Sequence, residues 1–366
     1  MISDIKIEGY RGFQNFEMKG LRRINLFVGK NNSGKTSALE ALYLLTTNVD
    51  PQSLWKILSG RGEQSFPDPS PGRQMQPEYE LNHLFYGHQI NIGAHIRVSA
   101  SNSISRMTEL KINEAKLEDN PRLFLMTSNE PAGLLGVSLA LTVENGVDRG
   151  FSIPLTLRGT IRQDVIQIQT NINASQPQVA QQINAQYVSN ASLTQQELSA
   201  AWGGIVLTPD EDKVIQALKS IDANIERIAA NNSLFFFGQQ KGGFVIKMHG
   251  VDQPIPIGSL GDGVWRMLSL AIALIRSRNG ILLIDEIDTG LHYSVMSSAW
   301  KMIADASRVF NIQIFATSHS SDCIRALASI QDDEICIHRI ESEKNISVEY
   351  SAAEVAAAAE HNIEVR

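Results

Sequence analysis

The stretch Arg23–Thr47, "RINLFVGKNNSGKTSALEALYLLTT", leaves the chain little choice of fold. An apolar run ending at Gly29 predicts a strand, and from Lys35 onward Leu39, Leu42 and Leu45 share one face of a predicted helix. Between them "GKNNSGKT", Gly29 to Thr36, fits G-x-x-x-x-G-K-[ST] in the strand-to-helix context that this pattern requires. A plain glycine turn is the alternative reading, and the flanking elements argue against it. Successive N–H groups in such a turn, together with the positive end of the helix dipole, form an anion cradle. Gly29, Asn31, Asn32, Ser33, Gly34, Lys35, Thr36 and Ser37 are therefore the candidate nucleotide contacts. Lys35 is expected to reach the β- and γ-phosphates, and the Thr36 hydroxyl to ligate Mg2+.

Three further stretches supply partner groups. "ILLIDE", Ile281 to Glu286, is a continuous apolar strand ending in two acids. Asp285 is expected at the Mg2+ ion, directly or through its waters. Glu286, on the other side of the pleat, is expected to orient or deprotonate an attacking water. After the next apolar run, "IQIFATSHS", His319 could meet a γ-phosphate through a neutral imidazole. "PIGSLGDGVWRMLSLAIALI", Pro256 to Ile275, is a glycine-rich turn opening a helix whose core face carries Val264, Leu268, Ala271 and Ile275. Such a turn aims free N–H groups outward and favours a second anion. Asp262 fits there if it points away or toward Arg266, one turn on.

The remainder reads as an α/β globular chain. Of 366 residues, 43% are hydrophobic and 19% charged, enough apolar content for a large core. A net charge of −7 argues against coating nucleic acid by bulk charge, though it leaves room for a local basic groove. No run of about 18 apolar residues predicts a membrane span. The start "MISDIKIEGYRGF" lacks a signal peptide's basic and apolar regions and alternates like a strand. Cys323 and Cys336 make neither a disulfide framework nor a zinc site. A cytoplasmic protein with no membrane partner is expected.

"INIGAHIRVSA", "ELKINEA", "GVSLALTVENG" and "FSIPLTLRG" predict an antiparallel β subdomain. Asp50 to Tyr79, rich in Pro, Ser, Gly and Gln, reads as a loop. The uncharged Gln- and Asn-rich run between Asp164 and Glu197 reads as an insert, helical or loosely ordered. "DEDKVIQALKSIDANIERIAA" shows helical spacing at Val214, Leu218, Ile221, Ile225 and Ile228, and "GGFVIKMHGVDQPIPI" reads as a hairpin turning at His249 to Val251. The expected divisions are residues 1–160, an insert lobe over 161–245, and 246–366.

"GKNNSGKT", "SLGDGVWRM", "ILLIDEIDTGLHYS" and "ATSHS", in this order, resemble the ABC-type ATPase heads of the SMC, RecF and OLD group. The stand-alone AAA-annotated, OLD-like ATPases of bacterial anti-phage systems look most similar. The opening "IKIEGYRGFQNFE" and the tail "SAAEVAAAAEHNIEVR" carry the same likeness. The resemblance implies a P-loop NTPase fold with a mixed central sheet, an antiparallel β subdomain and a helical lobe, and it implies ATP and Mg2+ as cofactors. Leu260, Gly261, Asp262 and Gly263 match the family's Leu-Ser-Gly-Gly signature, which binds the γ-phosphate of ATP held by the other subunit. Gly261 stands where the family has serine, removing a hydroxyl donor. "DTGLHYS" matches the D-loop, making Asp288 and His292 candidates to communicate across a dimer seam. Arg11 in "YRGF" resembles a basic residue near the nucleotide. Gln74, Gln76 and Gln89 lie where the family carries its Q-loop glutamine.

The resemblance further implies a slow ATPase that closes head-to-tail as a homodimer, or a higher oligomer, around shared ATP. No heptad run on the scale of an SMC coiled coil is present. Too little chain follows His319 for a C-terminal TOPRIM nuclease, so a separately encoded effector, such as a TOPRIM-type nuclease, is the expected partner in an anti-phage system. The alternative is a RecF-like, DNA-binding ATPase of repair or recombination. A transporter subunit fits the D-loop and the N-terminal start poorly, and Gly261 with Asp262 leaves an ATP-gated scaffold open.

Overall fold

Apolar runs without alternation mark strands covered on both faces, and such strands form a parallel sheet. In a computed structural model describing residues 1–66, 77–101, 106–114, 139–145, 150–156, 158–175, 183–231, 243–341 and 344–360, these runs become β3 (Ile24–Val28), β15 (Ile281–Ile284) and β16 (Gln313–Thr317), every residue of them buried. With β11 (Ala185–Val188) and β17 (Ile335–Glu341) they pair in parallel in the order β11-β15-β16-β3-β17. The register aligns Val188 with Ile284, Ile284 with Ala316, and Ala316 with Leu26. All five strands end at one edge, so the stretches after β3, β15 and β16 emerge side by side. This is where open parallel sheets bind ligands.

The chain divides into two compact units, residues 1–20, 36–183 and 341–347 in one and 21–35, 184–340 and 348–366 in the other. The parallel sheet belongs to the second. Around it lie α4 (Gln195–Trp202), α5 (Pro209–Lys219), α6 (Asp262–Arg276), α7 (Tyr293–Val309), α8 (Ser321–Ala328) and α9 (Ala352–Glu360). A small antiparallel sheet joins β12 (Ile225–Ala230), β13 (Phe244–Met248) and β14 (Ile255–Pro256). Trp202, Phe244 and Trp265 pack edge to face at 6.0 and 6.4 Å in its core. From Val264 to Ile275, α6 is buried on every side rather than on one face, Arg266 and Ser269 included.

In the first unit β1 (Asp4–Tyr10) and β2 (Phe13–Met18) form a hairpin with Tyr10 opposite Phe13. β1 continues antiparallel through β6 (His95–Ser101), β7 (Arg106–Glu114), β8 (Leu139–Asn145) and β9 (Phe151–Pro154), the expected meander. β18 (Ile346–Ser351) meets β2 in parallel at Ile346–Glu17. β4 (Gln64–Ser65), β5 (Glu78–Glu80) and β10 (Thr160–Arg162) make a second small sheet. Helices α1 (Lys35–Thr46, in this unit from Thr36 onward), α2 (Pro51–Gly60) and α3 (Gln163–Ser175) also belong to it.

Three readings of the sequence change. The stretch expected as a loop from Asp50 contains α2. Asp50 caps it by accepting the Ser53 N–H at 2.6 Å, Pro51 opens it, and Leu54, Ile57 and Leu58 are buried. Residues 67–76 of that stretch, Gln74 and Gln76 among them, lie outside the described residues. The helix expected to run to Ile228 stops at Lys219. Asp222 then accepts the Asn224 N–H at 2.9 Å in an Asx turn, and β12 begins at Ile225. A register shift between Ile225 and Arg227 buries Ile225 and Ile228 together, which is why a strand carried helical spacing. The Gln- and Asn-rich run supplies α3 and the edge strand β11, while residues 176–182 lie outside the described set. Among the described residues no helix is long and apolar enough to cross a membrane.

A candidate nucleotide-binding site at the carboxyl edge of the parallel sheet

The loop after β3 is set by its first glycine. Gly29 has φ 144°, and a Cβ there would fall 2.7 Å from Ser33 Oγ and 3.0 Å from the Ile340 carbonyl oxygen, so only glycine fits. Asn31 and Asn32 are exposed, Asn32 with φ 62°. The Ser33 N–H donates to the Lys30 carbonyl at 3.2 Å, Gly34 has φ 93°, and Thr36 and Ser37 begin α1. Lys35 is 4% exposed. Its Nζ donates to the carbonyls of Gly29 at 2.9 Å and Lys30 at 2.8 Å, with Ser33 Oγ at 3.5 Å. Every one of these partners is neutral. Burial pushes Lys35 down to about 8, while the charges of Asp285 and Glu286 pull the other way.

Asp285 and Glu286 follow β15. Asp285 is 7% exposed, and its Oδ1 accepts from the Thr317 hydroxyl at 2.7 Å. The same hydroxyl oxygen accepts the Glu286 N–H at 2.7 Å. Glu286 does not lie on the pleat as expected. β15 ends at Ile284, and Glu286 has φ 46°, a left-handed conformation costing on the order of 1–3 kcal/mol outside glycine. That turn, rather than strand alternation, aims its side chain, and its Oε2 accepts from the Thr289 hydroxyl at 3.1 Å. His319, two residues beyond β16, is partly buried. Burial and the nearby Lys35 charge hold it below the ordinary histidine value, against opposing pulls from Glu286, Asp288 and Asp285. Lys35, Asp285, Glu286 and His319, from separate stretches of the sequence, thus share one electrostatic environment.

Leu260 to Gly263 form a short turn into α6. Gly261 has φ 88° and ψ 172°, a region open essentially only to glycine, with nothing within 4 Å of where a Cβ would sit. Among the described residues no side chain caps α6. Leu260 packs on the core, while Gly261 and Asp262 are exposed. A Cβ on Gly263 would lie 3.1 Å from the Gly290 carbonyl oxygen, and one on Gly290 would lie 3.5 Å from Asp262 Cβ, so this turn rests on the segment after Glu286. Arg266 does not turn to Asp262. It is 1% exposed, with Nη2 donating to the carbonyls of Asp285 and Glu286, both at 2.8 Å. Its Nη1 donates to the Ser189 carbonyl at 2.6 Å and to Ser192 Oγ at 3.3 Å. Burial lowers it to about 10, opposed by Asp285, Asp288 and Glu286. In the next segment His292 caps α7, its Nδ1 accepting the Ser294 N–H at 3.4 Å, and Asp288 Oδ1 is buried without a hydrogen-bond partner among the described residues.

Thr317 and Arg266 are the residues that sequence reading missed as parts of the site. The available signal was a charged residue inside a helix otherwise reading as buried, since a buried guanidinium demands acceptors. Arg11 lies in the first unit, 9% exposed at the β1–β2 turn. Its Nε donates to Glu40 Oε2 at 2.7 Å and its terminal nitrogens to Glu63 at 2.5 and 3.1 Å, while Arg61 Nε takes the other Glu40 oxygen at 2.7 Å. Glu40 lies on α1, one turn beyond Thr36. Among the described residues no cluster of three or more His, Cys, Asp or Glu could hold a metal.

The AAA ATPase domain family matches residues 1–120 and 89–324, most of the chain. An ATP/GTP phosphatase of Helicobacter pylori is 22% identical over 370 residues, covering 93% of this chain and 90% of the relative. The DNA replication and repair protein RecF of Citrifermentans bemidjiense is 42% identical over 43 residues, 12% of each chain. Among solved structures, the Smc head domain with an extended coiled coil bound to the C-terminal domain of ScpA, derived from Pyrococcus furiosus, aligns over 99% of both chains at 12% identity with a TM-score of 0.48. A strand, a glycine-rich loop, a buried lysine, and a second strand followed by paired acids agree with the family match. The chain belongs to the AAA ATPase domain family and is an ATPase whose first parallel strand, glycine-rich loop and following helix are arranged as a P-loop.

Proposed function

We propose that this ATPase binds Mg2+ and ATP at the carboxyl edge of its parallel sheet and hydrolyses the ATP in a head-to-tail homodimer. The state of that dimer then switches a separately encoded effector. Lys35 carries the reading: a buried ammonium that donates to the carbonyls of Gly29 and Lys30, in a glycine-rich loop at the start of a helix, is suited to an anionic partner. A triphosphate supplies that charge.

The N–H groups of Gly29 and Asn31 to Ser37 cradle the phosphates, and Lys35 turns from its carbonyls to the β- and γ-oxygens. Thr36 and Asp285 would hold a Mg2+ ion, which would supply positive charge to the phosphate oxygens. Glu286 takes a proton from water as its oxygen attacks the γ-phosphorus. The bond to the β,γ-bridging oxygen breaks, and ADP and inorganic phosphate leave. His319, held neutral, donates a hydrogen bond to the γ-phosphate. Leu260, Gly261, Asp262 and Gly263 present the uncapped start of α6 to the γ-phosphate held by the second copy. Arg11 braces α1 through Glu40.

The resemblance of the motifs GKNNSGKT, SLGDGVWRM, ILLIDEIDTGLHYS and ATSHS to OLD-like ATPases of two-gene anti-phage systems is what supports a defence role, with a TOPRIM-type nuclease as the effector. The short match to RecF supports a second reading, a DNA-binding repair ATPase, marked by ATP-dependent duplex binding that weakens steeply with salt. The deciding experiment is sedimentation of Glu286→Gln with and without ATP. ATP should convert the variant to a stable dimer, with Lys35→Ala binding no nucleotide. A monomer at saturating ATP refutes the shared site.

A further inference from the structure

Asp262 and Arg266 lie one turn apart on the same face of α6. That face meets the Asp285–Gly290 segment at two places, with Asp262 and Gly263 against Gly290 and Arg266 on the carbonyls of Asp285 and Glu286. The guanidinium is buried and divides its donors between that turn and the loop after β11, at Ser189 and Ser192. Glu286 is left-handed at this point, a conformation its surroundings must hold in place. Both carbonyls of the Asp285–Glu286 pair are fixed by one nitrogen of Arg266, and any shift of α6 pulls on them directly. A fork of this kind transmits direction as well as charge.

We propose that Arg266 is a positioning residue that makes the signature helix and the Asp285–Glu286 turn move as one body, so that contact with the partner copy's γ-phosphate at Gly261–Gly263 is felt at Glu286. The inference rests on the dimeric ATPase reading above. Arg266 touches neither nucleotide nor water in this scheme; it sets the geometry of the groups that do.

The test is steady-state ATP hydrolysis and equilibrium ATP binding by wild type, Arg266→Lys and Ser192→Ala. Lysine keeps the charge but cannot span acceptors on two segments. Arg266→Lys should lower kcat by about tenfold to a hundredfold, the range for a misplaced catalytic group, with ATP affinity and KM within about twofold of wild type. Ser192→Ala removes only the 3.3 Å contact and should lower kcat by about two- to threefold. If Arg266→Lys folds and turns over at the wild-type rate, or merely melts earlier with kcat intact, the residue is only structural and the inference fails. Should Arg266→Lys not fold, an unchanged kcat in Ser192→Ala overturns it. Wild type without ATP turnover would instead overturn the functional reading itself, before any variant is compared.

Discussion

The Thr317 hydroxyl donates to Asp285 Oδ1 at 2.7 Å. Because its oxygen also accepts the Glu286 N–H, one buried side chain fixes both acids at the end of β15. Thr317→Val keeps the shape but removes donor and acceptor together. It should destabilise the fold by about 1–3 kcal/mol, the cost of leaving buried polar groups unpaired, and lower kcat as well. Thr317→Ser should keep most of both. Urea unfolding alongside turnover checks this, and equal stability in Val and Ser would show the hydroxyl to be idle.

Lys35 sits at about 8, below its ordinary 10.5. Between those values the unfolded chain holds a proton that the folded chain lacks, so stability without nucleotide should rise as pH climbs through that window. A bound triphosphate favours the ammonium, so ATP binding should take up a proton there and weaken as pH rises past about 8. Titration calorimetry at about pH 8.5 in buffers of different ionisation enthalpy measures the uptake directly. Identical apparent enthalpies in both buffers would contradict the assignment.

Gly261 has space around it but a backbone conformation that L side chains avoid. Gly261→Ala should therefore act through strain alone, costing about 1–3 kcal/mol and tilting the start of α6. ATP affinity of the monomer should be retained while ATP-dependent dimerisation is lost. Sedimentation and nucleotide titration on the same preparation separate the two effects. Normal dimerisation would remove the turn from the subunit contact.

His319 is held below the ordinary histidine value of 6.5 by burial and by Lys35. It is neutral at pH 7, and turnover should be flat through the neutral range, falling only in acid as the ring protonates. His319→Gln keeps a hydrogen-bond donor without a titrating group. It should lose most turnover, keep ATP affinity and lack the acid limb. An acid limb unchanged in this variant would assign it to another group.

Local sequence determined a great deal. The loop from Gly29 to Thr36, the acids Asp285 and Glu286 and the position of His319 each follow from a contiguous run of residues, because phosphate cradles and strand ends are made by neighbours in the chain. Parallel pairing then had to bring these runs to one edge. What only the tertiary structure decided depends on partners distant in sequence. β12 is a strand because Phe244–Met248 lies alongside it, and its bulge disguised that in the spacing of Ile225 and Ile228. Arg266 points to the carbonyls of Asp285 and Glu286 rather than to the nearer Asp262, because a buried guanidinium is stabilised by whatever acceptors the packed core leaves open, and those lie some twenty residues away along the chain. The handedness of Glu286 is fixed in the same way, by Arg266 and Thr317 together, and no short window of sequence contains all three.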